Sequence, residues 1–228
     1  MLVEERWPFE DPTKIQLFSL NTPNGVKVAA ALEELGVPYE PHTINIMKDD
    51  QFAKEYVSIN PNSKIPVVVI PGTDGAPPRA IFESGAILIH LADQEGKLLS
   101  KDPVLRSETL QWLFFQVGHI GPMFGQFGHF FKFAKDKCDH PYPLERYSKE
   151  ATRLFGVLDA RLEGREYLVG DEYSIADIAT WPWVSGLIHF YQASDHLDIP
   201  SFANVTAWLE RCTSRPASQR AKSVTSLR

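Results

Sequence analysis

Hydrophobic positions change their spacing along the chain, and the first half contains both strand and helix periods. Short apolar runs at residues 15–20 and 65–70 are typical of buried strands. Residues 26–35 instead place apolar side chains at helical spacing and are followed by Gly36, a common helix stop. The predicted order is β-α-β-α-β-β-α, with elements at residues 15–20, 26–35, 39–46, 51–60, 65–70, 79–84 and 84–96.

Strand patterns disappear after Asp102, and long helical patterns replace them. These patterns cover residues 102–135, with a glycine-rich interruption, and residues 144–162, 175–191 and 202–212. A mixed α/β unit followed by an all-helical unit predicts two domains. We therefore expect an N-terminal extension at residues 1–13, an α/β domain at residues 14–98 and an all-helical domain at residues 102–228.

One capping signal in the helical half is specific, the stretch YSIADI. Ser174 is expected to cap a helix while Asp177 reaches back to the backbone of Ser174, which is a capping box. Tyr173 and Ile178 have the spacing of the accompanying hydrophobic staple. This motif predicts a folding device and not a functional site.

Composition and charge narrow the possible partners. The chain has 228 residues, of which 43% are hydrophobic, so a large core is expected. Its formal net charge is −6, and no stripe of Lys and Arg stands out, which argues against binding to nucleic acid. A small or neutral partner is therefore favoured.

The termini and the cysteines point to the cytoplasm. The first residues are acidic and do not resemble a secretory signal, and no run approaches the ~18 apolar residues of a membrane span. Cys138 and Cys212 lie far apart and form no CxxC pair, which fits a reducing compartment. We expect a cytoplasmic protein that does not enter a membrane.

The turn NTPNG, residues 21–25, is the first candidate for chemistry. It connects a predicted strand to a predicted helix, and such turns direct short polar side chains and free backbone N–H groups into one cleft. The turn contains no Cys, Ser or Tyr, so its best-placed groups are the Thr22 hydroxyl and the Asn24 amide.

Two further candidates precede a strand and a helix. Pro66 stands before a buried strand, and a cis Ile65–Pro66 bond would leave the backbone of Ile65 free to pair with an extended ligand. Glu83 and Ser84 begin a helix, where a carboxylate is stabilised by N–H groups and Glu83 can accept from an ammonium, so the pair suits an α-amino acid. An ordinary strand-entry proline and a plain Ser cap are the alternatives.

Other chemistry has weaker support. No nucleophile elbow, phosphate loop or metal motif occurs, and the cluster of His119, His129, His140 and Cys138 fits no common zinc spacing, so no metal is expected. Residues 118–133 are rich in glycine and phenylalanine and predict either helix core or an apolar pocket for a second substrate.

Taken in order, these motifs resemble the cytosolic glutathione transferases over roughly Lys14 to Pro216. The resemblance is closest to the nu class and its fungal and yeast relatives, and it rests on the segments TPNG, NSKIP, FESGAI, LQWLFFQVG, GPMFGQ, ERY and YSIADIATWPWV. It implies an N-terminal thioredoxin-like domain, α/β in class, followed by an all-α domain.

The resemblance also implies roles for individual residues. Seven residues would contact bound glutathione, namely Gln51, Lys64, Ile65, Glu83, Ser84, Gln111 and Arg146. Glu83 and Ser84 would hold its γ-glutamyl end, and Ile65 its cysteinyl backbone. The sulfur would then approach Thr22 and Asn24, whose donors would favour the thiolate because hydrogen bonds to a charged form lower its pKa. Without the family, Lys64, Gln111 and Arg146 would be interpreted as solvated residues.

The resemblance implies an enzyme with glutathione as co-substrate and no protein nucleophile. We expect a glutathione-dependent disulfide-bond oxidoreductase that works on glutathione, glutathione disulfide and small disulfides, as a homodimer. Two alternatives stay open: conjugation of glutathione to electrophiles, and a non-catalytic regulatory protein that binds glutathione.

Overall fold

The computed structural model describes residues 1–73 and 75–227 and divides them into two compact units. The first unit contains Met1–Lys97 and the segment from Pro216 onward, and the second contains Leu98–Arg215. Among the described residues, no helix combines the length and the apolar character that crossing a membrane requires.

The first unit is built on a four-stranded sheet with the order β2-β1-β3-β4. Strands β1 and β2 are parallel, whereas β3 is antiparallel to both β1 and β4. The predicted order of strands and helices is confirmed. The elements are β1 (Ile15–Ser19), α1 (Pro23–Leu35), β2 (Tyr39–Thr43), α2 (Lys54–Val57), β3 (Val67–Ile70), β4 (Arg79–Phe82) and α3 (Ser84–Glu95).

Local signals explain where the two long helices of this unit begin and end. Helix α1 begins three residues before the predicted start, because Pro23 is suited to the first helical turn and Thr22 caps it. Helices α1 and α3 both end where Gly36 and Gly96 adopt positive φ angles of 69° and 66°.

The N-terminal residues belong to the core of the first unit, which the sequence pattern does not indicate. Val3 is fully buried in a cluster with Phe18, Tyr56 and Val67. Trp7 lies edge-on to Phe18, with ring centroids 6.3 Å apart. Residues 1–13 are therefore part of the first unit, since Val3, Trp7 and Phe9 pack in or against this cluster.

The C-terminal segment also belongs to the first unit, although its helical pattern predicts a place in the helical domain. Helix α9 (Pro216–Ala221) packs against α1. Arg220 forms an ion pair with Glu33, and the backbone N–H of Asn21 donates to the C=O of Thr225 over 3.1 Å. These contacts join residues that are far apart in sequence, so helical periodicity alone could not assign them.

The second unit is entirely helical in its regular structure. Two π-helical segments, Gln116–Ile120 and His129–Phe133, follow α4 and α5. Phe124 stacks on Phe155 with ring centroids 5.1 Å apart, and Phe124 and Phe127 are core residues, whereas Phe133 is 51% exposed. The helices are α4 (Pro103–Phe115), α5 (Gly121–Gly128), α6 (Tyr142–Leu162), α7 (Ile175–His189) and α8 (Ala203–Thr213).

The predicted capping box at the start of α7 is confirmed. Ser174 Oγ accepts from the N–H of Ala176, and the N–H of Ser174 donates to Asp177 Oδ2 over 3.0 Å. Asp177 is fully buried, and its Oδ1 also accepts from the Leu168 N–H and the Trp208 indole. The motif therefore connects α7, α8 and the preceding loop, as expected of a folding device.

Candidate functional site

The register of the sheet brings three predicted site segments to one edge. Phe18 of β1 pairs with Val67 of β3, and Val67 pairs with Phe82 of β4. The turn after β1, the residues before β3 and the residues after β4 therefore leave the sheet next to one another. Three segments that are separate in sequence, 21–25, 64–66 and 83–84, meet at this edge.

The turn after β1 depends on close packing between strand and helix. A Cβ at Gly25 would lie 1.9 Å from the carbonyl oxygen of Leu20, so a larger residue cannot occupy this position without movement of the backbone. Thr22 Oγ1 accepts from the N–H of Gly25 over 3.3 Å, and Thr22 and Asn24 are half-buried. A hydroxyl can accept and donate together, so the cap leaves the Thr22 proton for another acceptor.

Asn21 fixes the turn to the C-terminal segment, a role that the sequence pattern does not predict. Its side-chain Nδ2 donates to the carbonyl oxygen of Lys222 over 2.6 Å, in addition to the backbone bond to Thr225. The C-terminal segment thus positions the turn that carries Thr22 and Asn24. The signal is absent from the sequence because the partner lies 201 residues away.

The bond between Ile65 and Pro66 is cis. Ile65 precedes the β3 ladder, whose register with β4 begins at Val67, so its backbone polar groups lie outside that ladder. The carbonyl oxygen of Lys64 accepts from Tyr56 Oη and from Asn60 Nδ2, both over 2.7 Å. These two bonds fix the backbone immediately before Ile65, while the side chain of Lys64 is exposed.

Glu83 has an unusual backbone conformation, with φ 70° and ψ 112°. A non-glycine residue there costs about 1–3 kcal/mol, and such strain is concentrated at functional sites. Glu83 is exposed, and it precedes Ser84, the first residue of α3. Ser84 is therefore not the helix cap, and its buried hydroxyl is available for another role.

Lys27 also belongs to this region, although the sequence motifs do not predict it. It is 2% exposed on α1, and its Nζ donates to Ser84 Oγ over 3.2 Å. Burial lowers the pKa of Lys27 to about 7, and the nearby Glu83 carboxylate opposes this shift. The available signal was a lysine inside the apolar run VKVAAAL, where a charge is rarely buried without a partner.

Gln51 lies in a single 3₁₀ turn, Asp50–Phe52, of the first unit. Asp50 anchors the turn, since its carboxylate accepts from the Asn45 N–H over 2.9 Å and pairs with Arg6. The Oε1 atom of Gln51 is buried and has no hydrogen-bond partner among the described residues. Such an acceptor is available to a donor supplied by a ligand.

Gln111 and Arg146 belong to the second unit. Gln111 lies on α4 and Arg146 on α6, and both side chains are exposed. A hydrogen bond from Arg153 lowers the pKa of the Glu150 carboxyl, and the charges of Arg153, His119 and Arg146 add to this effect. Their roles in ligand binding stay predictions.

The two cysteines lie in the second unit, whereas the site segments 21–25, 64–66 and 83–84 lie in the first. Cys212 is buried on α8, and Cys138 lies partly exposed after the second π-helical segment. Within residues 1–73 and 75–227, no three His, Cys, Asp or Glu side chains form a group that could hold a metal ion. The site segments of the first unit contain no cysteine.

Comparison with known families gives two matches. The model of the glutathione S-transferase N-terminal domain matches residues 22–94, and that of the C-terminal domain matches residues 120–216. The first match includes residues 22–25 of the turn and both other segments at the sheet edge. The second includes α5 to α8.

Individual relatives agree with these families. The disulfide-bond oxidoreductase YfcG of Escherichia coli is 44% identical over 208 residues, which are 91% of this chain and 94% of that protein. A glutathione transferase family member from Pseudomonas fluorescens, solved with two glutathione bound, is 50% identical with a TM-score of 0.95, over 98% of this chain and 99% of the other.

A glutathione transferase from Pseudomonas putida was solved with one glutathione disulfide per subunit. It is 46% identical with a TM-score of 0.95, over 98% of this chain and 96% of the other. The thioredoxin-like sheet and the helical half expected from the sequence are therefore confirmed.

Proposed function

This chain belongs to the glutathione S-transferase family, and on that premise we propose that it is a glutathione-dependent disulfide-bond oxidoreductase. The observation that carries the proposal is the meeting of the three site segments at one sheet edge. There the Thr22–Asn24 turn, the backbone of Ile65 and the Glu83–Ser84 helix start can bind three successive parts of one extended ligand. The relatives solved with two glutathione or with glutathione disulfide support this ligand class.

Each part of glutathione has a matching group in the first unit. Ser84 and the N-terminus of α3 suit the γ-glutamyl carboxylate, and Glu83 suits the ammonium. The backbone of Ile65 suits the cysteinyl amide. Gln51 and Lys64 suit the glycyl end, where the Gln51 oxygen can accept from an amide and the Lys64 ammonium can meet the carboxylate.

The reaction is two thiol–disulfide exchanges. The thiolate of a bound glutathione attacks one sulfur of a disulfide RSSR, a mixed disulfide of glutathione and R forms, and RS⁻ leaves and takes a proton. A second glutathione thiolate then attacks the glutathione sulfur of the mixed disulfide, so glutathione disulfide forms and the second RS⁻ leaves. The two electrons come from two glutathiones, and no protein cysteine is oxidised.

Thr22 and Asn24 are the residues we propose as catalytic. Their O–H and N–H donors, with the N-terminus of α1, would stabilise the glutathione thiolate and so raise its fraction at neutral pH. Attack on the disulfide then depends on that fraction and on access to the sulfur.

The quaternary arrangement is also part of the proposal. We expect a homodimer in which Gln111 and Arg146 make further contacts with bound ligand, and a cytoplasmic location, where glutathione is reduced. Sedimentation across micromolar concentrations tests the dimer, and a monomer throughout would contradict it.

The experiment that tests the function measures reduction of hydroxyethyl disulfide with glutathione as reductant. Thr22→Ala with Asn24→Ala should lower kcat/KM at least tenfold, about 1.4 kcal/mol of barrier. The matched control is Cys138→Ser with Cys212→Ser, which should keep near-full activity. A cysteine-free protein that binds glutathione but no longer reduces the disulfide would refute the mechanism, and a wild type that only conjugates aromatic halides would favour a transferase.

A further inference from the structure

Lys27 is a charged residue in a place that ordinarily holds an apolar one. It is among the largest fully buried side chains of the chain, and it lies on α1 between the buried residues Val26 and Val28. Burying an ammonium is costly unless it is paired, and an apolar side chain of similar volume is often as stable or more stable. Packing alone therefore gives no reason for a lysine at this position.

Two residues of the candidate site interact with Lys27. Its Nζ donates to Ser84 Oγ over 3.2 Å, and the Glu83 carboxylate acts on its charge. Protonated Lys27 has donors but no acceptor, so Ser84 then uses its oxygen to accept this bond. The hydroxyl proton of Ser84 is then directed away from Lys27 and is available to a ligand.

The charge of Lys27 also adds to the field at the start of α3. The N-terminus of a helix of this length, Ser84–Glu95, already favours an anion, and Lys27 next to Ser84 strengthens that preference when its amine is protonated, below its pKa of about 7. Glu83, with its strained backbone, directly precedes Ser84. A negative side chain therefore comes next in sequence to the positive N-terminus of α3. This charge pattern is complementary to the carboxylate and ammonium of an α-amino acid.

We propose that Lys27 is a positioning residue for the γ-glutamyl end of glutathione, acting from the buried side of the site through the hydroxyl of Ser84 and the carboxylate of Glu83. The inference rests on the proposed function, since it assigns a further residue to the same ligand. Lys27 does not need to touch the ligand. It orients one donor, Ser84, and balances the charge of one acceptor, Glu83.

The experiment compares two ligands by calorimetry, glutathione and cysteinylglycine, which lacks the γ-glutamyl group. Lys27→Met should weaken glutathione binding about tenfold or more, the size of a lost charge-assisted hydrogen bond. It should change the affinity for cysteinylglycine less than about twofold, because that ligand does not reach Ser84. In the disulfide reductase assay KM for glutathione should rise while kcat changes little.

A double-mutant cycle separates a positioning role from a structural one. If Lys27 acts through Ser84, Lys27→Met and Ser84→Ala together should weaken glutathione binding by no more than the larger single effect. Lys97→Met, at an exposed lysine outside the site, is the matched control and should bind both ligands as the wild type does. Lys27→Gln serves the same measurements if Lys27→Met does not fold.

The outcomes distinguish this inference from the proposed function. A wild type that does not bind glutathione removes the proposed function itself. A wild type that binds glutathione, with Lys27→Met and Lys27→Gln that bind it equally well, overturns the role of Lys27 alone. Equal losses for both ligands, or additive effects in the cycle, would assign Lys27 to the structure of the first unit.

Discussion

A charged side chain is buried beside the start of a helix in each unit, and the two side chains differ in the kind of group with which they interact. In the second unit, Asp177 is fully buried at the start of α7 and accepts from Ser174, Leu168 and Trp208. In the first unit, Lys27 is buried on α1 and donates to Ser84 at the start of α3. The partners of Asp177 are backbone and core groups, whereas those of Lys27 face the candidate site.

This difference separates a structural charge from a functional one. Burial raises the pKa of Asp177, and hydrogen bonds from Leu168, Trp208 and Ser174 oppose that rise. These three donors belong to the fold, and the carboxyl group of Asp177 is their acceptor. Lys27 instead donates to a hydroxyl, and a carboxylate acts on its charge, and a ligand can also use both of these groups. A buried charge points to function when its partners have capacity left for a ligand.

Removal of Asp177 should have the largest effect. Asp177→Ala leaves the Trp208 indole and the N–H groups of Leu168 and Ser174 without their acceptor, and we expect the free energy of unfolding to fall by about 3–5 kcal/mol. Urea unfolding measures this change. Asp171→Ala, at an exposed aspartate in the preceding loop, is the control and should change it by less than about 0.5 kcal/mol. Similar losses in both variants would contradict the structural role.

The charge of Lys27 should make stability depend on pH. Its pKa is lowered from 10.5 to about 7 in the folded protein, so between these values the unfolded chain binds more protons, and the free energy of unfolding rises with pH. The rise due to Lys27 from pH 7 to 9 should be on the order of 2 kcal/mol, and Lys27→Met should lack it. Urea unfolding of both proteins at the two pH values gives the difference, with Lys97→Met expected to follow the wild type. Parallel pH dependence of wild type and Lys27→Met would show that Lys27 stays charged.

The smallest expected effect concerns the strained residue beside Ser84. Glu83→Gly relieves the positive φ, and we expect it to stabilise the protein by about 1 kcal/mol relative to Glu83→Ala, which retains the strain. Both variants remove the carboxylate and should weaken glutathione binding alike. Thermal unfolding and calorimetry measure the two quantities. If Glu83→Ala bound glutathione as tightly as the wild type, Glu83 would not be an acceptor for its ammonium.

Much of the candidate site could be predicted because its signals are local. Pro66 before a buried strand, Glu83 and Ser84 before a helix, and the Ser174–Asp177 capping box each involve groups within a few residues. Backbone angles, and hydrogen bonds between residues only a few positions apart, depend on the identity of the neighbouring side chains. The sequence pattern therefore predicted these features together with the order of strands and helices.

Distant contacts were not predictable in this way. The pairing of Lys27 with Ser84 spans 57 residues, and the bond from Asn21 to Lys222 spans 201. The same holds for Val3 in the core of the first unit. The periodicity of a helix shows which face is apolar but not which segment covers it.

The sequence by itself determined the order of elements, the turn at residues 21–25, and the residue types that suit an α-amino acid and a thiolate. Only the tertiary structure decided that three segments meet at one edge of the sheet, that the C-terminal segment supports the turn, and that a buried lysine lies behind Ser84. The physical reason is the separation of the interacting residues along the sequence, because caps and turns form between neighbours in the chain. The pairing of a buried charge depends on which surfaces fold together, and local patterns do not specify that.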